Sequence, residues 1–254
     1  MPARPLIAVH GWSCAGAVLA PALGAALPGR RVVPVDLRGH GASPSGAPFG
    51  LDDLARDLAA MAGAVGPGPI DLMGWSLGGL VALAALPALG ARVERLVLVG
   101  ATPRFTNGDG WAHGTEPRAL AAVAARTRRD AARAVEAFWD GMFSPAEREL
   151  APPRPGGLAV PAQADLLAGL DVLAAADLRA ALPAVRAETL VVHGEADPVC
   201  PAGAGRALAQ AIPGARLVLL PGAGHAPFLS QPGAFAAAVS GFLASGAKPP
   251  DAAP

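Results

Sequence analysis

Apolar residues follow two rhythms along this chain. Short, nearly unbroken runs occupy 6–9, 32–35, 70–73, 93–99, 189–193 and 216–220. Between them lie stretches whose apolar residues recur every three or four positions, at 15–27, 51–65, 77–89, 118–142, 163–173, about 201–211 and 232–243. Leu51, Leu54, Leu58, Met61 and Val65 set the spacing in one of them. Runs without polar alternation predict strands buried on both faces. Strands that alternate with amphipathic helices predict a parallel sheet covered on both sides. The rhythm breaks once. From about residue 105 to 183 no strand is expected, only helical patterns separated by a Pro/Gly-rich break at 151–157. The predicted organisation is an α/β core over 1–104 and 184–245, a helical lid over 105–183, and a disordered tail over 246–254.

Composition narrows the class. Hydrophobic residues make up 52% of the chain and charged residues 16%, which supports a large core. Lys plus Arg total 20 and Asp plus Glu total 20, so no global field favours nucleic acid or a membrane surface as a partner. Cys14 and Cys200 suggest no disulfide framework. The first apolar run is too short for a signal-peptide core, and no run reaches transmembrane length. A soluble, cytoplasmic, monomeric protein is expected, with no metal or cofactor.

The run at 70–73 leads into Gly74-Trp75-Ser76-Leu77-Gly78, and a helical pattern begins at once. Glycine is abundant, 32 residues in 254, so the pentapeptide alone says little. Its setting, strand before and helix after, is that of a nucleophile elbow. A serine hydroxyl needs a general base, and the base needs a carboxylate to orient it. Such sheets supply them in the order Ser, acid, His, each just past a strand. Asp197 follows one strand and His225 the next, with Glu195 as the reserve acid. The other histidines fit less well. His10 and His193 read as packing or supporting residues, His40 as structural, and His113 has no assigned role. The oxyanion donors are expected at the backbone N–H of Leu77, after the nucleophile, and of Trp12, after the first strand.

These residues carry a resemblance. His10-Gly11-Trp12, the Gly74–Leu80 elbow and Gly224-His225-Ala226-Pro227-Phe228 together resemble the α/β-hydrolase superfamily. More narrowly, they are similar to the pimeloyl-[acyl-carrier protein] methyl ester esterases of biotin synthesis. Thr102-Pro103-Arg104-Phe105 with Trp111, Val135-Glu136 with Phe138, and Asp177-Leu178-Arg179 extend the match. The resemblance implies removal of a methyl group from a pimeloyl ester carried on acyl-carrier protein. It also implies that Trp12, Trp75 and Phe138 line the acyl channel and that lid arginines hold the acidic carrier. Arg126, Arg129, Arg133, Arg148 and Arg154 are the candidates, and the first three would share one face of a single helix. Two departures stand out. Only nine residues precede His10, which leaves no room for the strand hairpin usual in the family. Either the sheet has about six strands or the start codon is misassigned. Ala137 also stands where a carrier-contacting arginine is expected. Two alternatives remain open, a carboxylesterase or enol-lactonase acting on a small free ester, and a hydrolase-fold ligand receptor without catalysis.

Overall fold

The computed structural model describes residues 3–149, 151–155 and 157–244. The tail expected to be disordered lies outside them. Six strands form one sheet, β1 (Leu6–Val9), β2 (Val32–Val35), β3 (Ile70–Trp75), β4 (Val93–Val99), β5 (Glu188–Gly194) and β6 (Arg216–Leu220). Their spatial order is β2-β1-β3-β4-β5-β6, and every pairing is parallel. The helices are α1 (Ala20–Ala26), α2 (Leu51–Val65), α3 (Leu77–Leu89), α4 (Pro117–Arg129), α5 (Ala131–Gly141), α6 (Gln163–Ala175), α7 (Ala202–Ala211), α8 (Pro227–Ser230) and α9 (Pro232–Ala244).

The unbroken apolar runs now have a physical reason. Successive side chains of a strand point to opposite faces. Ile7, Val9, Leu72, Leu96, Leu98 and Val191 therefore pack beneath α2, α3 and α7. Leu6, Ala8, Met73, Val97, Val99, Leu190 and Val192 pack on the other side with α1 and α9. The strand at 32–35 is less buried than its composition suggested. It forms a sheet edge, with Pro34 exposed, where a residue lacking an N–H costs no ladder bond.

Two helical predictions change on folding. The pattern at 15–27 divides into a 3-10 turn, Gly16–Val18, and α1, whose start is set by Pro21. The pattern at 118–142 divides at Asp130. That residue is extended (φ −158°, ψ 98°) and its carboxylate accepts the Arg133 N–H at 3.0 Å, so it ends α4 and caps α5. The periodicity carries through the break because both helices bury apolar faces, which hides the corner from a sequence pattern.

Residues between β4 and β5 contain α4, α5 and α6 and no named strand among the described residues. The two ends of this insertion are joined at its neck. Arg104 bridges to Asp177, 73 positions later, through Nη1–Oδ2 at 3.0 Å, and the Leu178 N–H donates to the Pro103 carbonyl at 2.8 Å. No described helix is long and apolar enough to cross a membrane.

Candidate active site

The turn after β3 places Ser76 at the N-terminus of α3 with φ 56° and ψ −120°. This left-handed backbone is strained for a residue with a side chain. Neighbouring glycines make the turn possible. A Cβ on Gly74 would meet the Gly78 carbonyl oxygen at 2.3 Å, and one on Gly78 would meet the Val9 oxygen at 2.4 Å. Ser76 is held by its own N–H to the Val99 carbonyl, 3.0 Å.

His225 follows β6 and stands beside the elbow. The Trp75 indole N–H donates to its carbonyl at 2.9 Å, and the two rings lie 5.7 Å apart. His225 Nδ1 is 2.8 Å from Asp197 Oδ2. The other Asp197 oxygen accepts the N–H groups of Val199 and Cys200, at 2.8 and 2.9 Å. His193 Nε2, which donates to the Cys200 carbonyl at 2.8 Å, also approaches Asp197 Oδ2 at 3.4 Å. Burial pushes the Asp197 carboxyl pKa up, but the charge of His225 and hydrogen bonds from both imidazoles outweigh it and hold the group well below the usual carboxylate range. Of the two candidate acids, Asp197 is the one that contacts His225. Glu195 is half-exposed and faces Arg206 at 3.6 Å instead. The third link is unmade. His225 Nε2 is buried and has no hydrogen-bond partner among the described residues.

The backbone N–H groups of Leu77 and Trp12 belong to the two segments that flank Ser76. Leu77 opens α3, where helix donors have no intrahelical acceptor. Trp12 sits in the loop after β1, and a Cβ on the adjacent Gly11 would lie 3.1 Å from Ser76 Cβ. Among the described residues neither N–H finds a protein acceptor. His10 fixes this loop. Its Nδ1 lies 2.7 Å from the Gly11 carbonyl, and its Nε2 accepts the Leu37 N–H at 3.0 Å. Only a neutral ring protonated on Nδ1 meets both partners. Burial, with His40 beside it, lowers the His10 pKa to about 3.

Ser76 opens on a cavity of about 190 Å³. Trp12, Phe105, Leu120, Val123, Phe138 and Leu170 contribute its apolar wall, and among the described residues Arg126 is the one charged side chain lining it. Trp12 is fixed by an indole N–H to the Leu166 carbonyl at 2.9 Å and an edge contact with Phe138 at 4.9 Å. Trp75 departs from expectation. It does not line this cavity, because its position in β3 turns the indole to the opposite face of the sheet, against Phe228 and under His225. The arginines are not one face either. Arg126 and Arg129 lie on α4 and Arg133 on α5, all exposed, because the chain turns at Asp130. Arg148 is exposed beside Asp140 and Phe143. Arg154 is only 7% exposed and approaches Glu136 at 3.5 Å, so it is not a free surface cation. Cys14 and Cys200 are buried and unpaired, and burial pushes the Cys14 thiol up to about 12. No described group of three His, Cys, Asp or Glu residues could hold a metal ion.

Sequence reasoning missed Gly100 and Glu147. A Cβ on Gly100 (φ 50°) would meet His225 Nδ1 at 3.1 Å, and Glu147 accepts the Gly224 N–H at 2.8 Å. The glycine after an apolar run was a possible signal for the first. Nothing local marks the second.

Residues 6–238 match the model of the alpha/beta hydrolase family. The chain is 38% identical over 235 residues to a pimeloyl-[acyl-carrier protein] methyl ester esterase of Nitrosomonas europaea, covering 91% of this chain and 92% of that one. It is 34% identical over 247 residues to the enzyme of that name from Stenotrophomonas maltophilia, covering 94% and 93%. Among solved structures it resembles an esterase from Exiguobacterium antarcticum, with TM-score 0.86, 26% identity and coverage of 96% and 93%. The enol-lactonase from Burkholderia xenovorans is similar at TM-score 0.83, 26% identity and the same coverage.

Proposed function

The chain belongs to the alpha/beta hydrolase family, and we propose that it is a serine carboxylesterase that hydrolyses the methyl ester of a pimeloyl chain carried on acyl-carrier protein. The likeness over 91% of the chain to the Nitrosomonas enzyme carries the substrate. The juxtaposition of Ser76, His225 and Asp197 supports the chemistry.

In this reading Ser76 Oγ attacks the ester carbonyl while His225 Nε2 takes its proton. That nitrogen is buried on the side of the ring away from Asp197, and catalytic hydrogen bonds of this kind tighten when substrate is bound. Asp197 holds the Nδ1 proton and stabilises the imidazolium. The tetrahedral oxyanion sits between the N–H groups of Trp12 and Leu77, at the positive end of α3. Collapse expels methanol, which takes the proton from His225. Water then repeats the sequence on the acyl-enzyme and releases the carboxylate. Residues 105–183 serve as the lid, with Trp12 and Phe138 against the acyl chain. Trp75 supports His225 from beneath. The acidic carrier docks on exposed lid arginines, of which Arg126, at the cavity wall, and Arg129 are the first choice, followed by Arg133 and Arg148.

A second reading has its own support. The cavity is small, and a structural neighbour is an enol-lactonase, which would suit a small free ester. Hydrolysis of methyl pimeloyl-carrier protein should exceed that of free dimethyl pimelate by at least tenfold in kcat/KM. Equal rates would favour the free-ester reading. Loss of both would leave the fold as a ligand receptor.

A further inference from the structure

The histidine of the proposed triad is held in place by the insertion, and one carboxylate is central to the hold. Just past α5 the chain runs through Met142, Ser144 and Glu147, all buried. The His225 N–H donates to the Met142 carbonyl at 2.8 Å. Glu147 Oε2 accepts the Gly224 N–H at 2.8 Å and the Ser144 N–H at 3.0 Å. Ser144 Oγ donates to the Gly222 carbonyl at 2.8 Å. Three hydrogen bonds therefore stitch 142–147 to 222–225. The approach is close enough to require glycine. A Cβ on Gly224 would lie 2.5 Å from the Met142 oxygen and 2.8 Å from Glu147 Oε2.

A carboxylate in this position is costly, since Glu147 is buried and gives up solvation that a loop acid ordinarily keeps. Exposed loop amides are ordinarily satisfied by water at no such cost. What the carboxylate adds is fixed geometry. The two N–H groups it accepts come from opposite sides of the junction, and one of them belongs to the residue before His225. Asp197 controls one end of the imidazole, while the backbone from which the ring hangs is set by Glu147 and Met142.

We infer that Glu147 is a positioning residue for His225, acting through the Gly224 backbone, and that the insertion helps to assemble the catalytic base as well as walling the cavity. This rests on the reading of Ser76, His225 and Asp197 as the catalytic triad. The test compares Glu147→Ala, Glu147→Gln and Ser144→Ala with the unmodified chain. Glu147→Ala removes the acceptor, and Glu147→Gln keeps an oxygen for the same two donors. With p-nitrophenyl acetate, Glu147→Ala should lose at least tenfold in kcat with KM within twofold. Its rate of fluorophosphonate labelling at Ser76 should fall by the same factor. Glu147→Gln should recover kcat to within threefold of the unmodified chain, and Ser144→Ala should lose about threefold. Amide exchange in the 221–228 peptide should accelerate in Glu147→Ala but not in Glu147→Gln. Unchanged kcat and labelling in folded Glu147→Ala would overturn the inference. So would a kcat loss that Glu147→Gln fails to recover. If Glu147→Ala does not fold, unchanged kcat in Ser144→Ala with slow exchange at 221–228 overturns it. An unmodified chain that is not labelled at Ser76 would instead remove the triad reading beneath it.

Discussion

Two buried aspartates stand at opposite ends of the same sheet, and their partners differ in kind. Asp71, near the start of β3, is met by Arg4 at 3.1 Å and by Arg30, and its side chain is 1% exposed. Asp197, past the end of β5, is met by His225 at 2.8 Å and His193 at 3.4 Å, and its side chain is 0% exposed. A guanidinium stays charged at any ordinary pH, so the lower cluster is a fixed lock between β3 and the segments beside β1 and β2. An imidazole can take a proton from one group and pass it to another, and in the proposed mechanism that is the work of the upper cluster. On the proposed function, the same buried acid is structural or chemical according to whether its partner can change state.

Removing the nucleophile should separate the two ends most sharply. Ser76→Ala is expected to cut kcat roughly a millionfold and abolish fluorophosphonate labelling, with the urea midpoint almost unmoved. Exchanging the two aspartates for asparagine should then give crossed effects. Asp197→Asn should lower kcat by about 10⁴ with little change in KM, because it spoils the imidazole tautomer and not the pocket. Asp71→Asn should leave kcat per folded molecule unchanged and cost about 3–5 kcal/mol of stability in urea titrations, since it strands a buried guanidinium. Equal activity losses in the two variants would end the distinction.

A third buried group tests the upper end by pH. The pKa of His10 is about 3 in the folded chain, against about 6.5 when unfolded. The unfolded chain therefore binds the extra proton first. The contribution of His10 is fully present above about pH 6.5 and is lost as pH falls toward 3, at up to about 1.4 kcal/mol per pH unit. Urea midpoints measured from pH 7.5 to 4.5 should show this slope, and His10→Asn should flatten it. The smallest effect is expected from exposed cations. Arg129→Glu with Arg133→Glu, exposed on either side of the corner at Asp130 and outside the cavity lining, should lower kcat/KM for a carrier-bound ester by about tenfold, or about 1.4 kcal/mol. Turnover of p-nitrophenyl acetate should be unaffected, and added salt should weaken only the carrier-bound reaction.

Local patterns carried much of this molecule. The six strands and their parallel arrangement were legible, because each apolar run is buried by helices that have their own period. The elbow was legible because close approach of backbone requires glycine at 74 and 78. Asp197 and His225 were singled out by chain order, and the structure brings them within a hydrogen bond. What failed was whatever depends on direction or on distant partners. Residue spacing could not give the side of the sheet faced by Trp75, since a strand reverses face at every residue. The corner at Asp130 was invisible because burial continues on both sides of it. Glu147 resembles any acid in a charged surface segment until Gly224, 77 positions later, is placed against it.

The neck of the insertion has a consequence for how such a protein can change. Thr102-Pro103-Arg104 and Asp177-Leu178-Arg179, far apart in sequence, meet as a clasp beside the sheet. Whatever the chain does between them, it leaves and returns through the same gate. A longer or shorter excursion would alter loop entropy only slowly with length. The segment is therefore a cassette in the engineering sense. Its replacement by that of a relative would keep both ends in register with β4 and β5, provided the new segment also brought an acceptor for the Gly224 N–H. New substrate ranges could then arise by exchange of one part, while the sheet beneath stayed as it was.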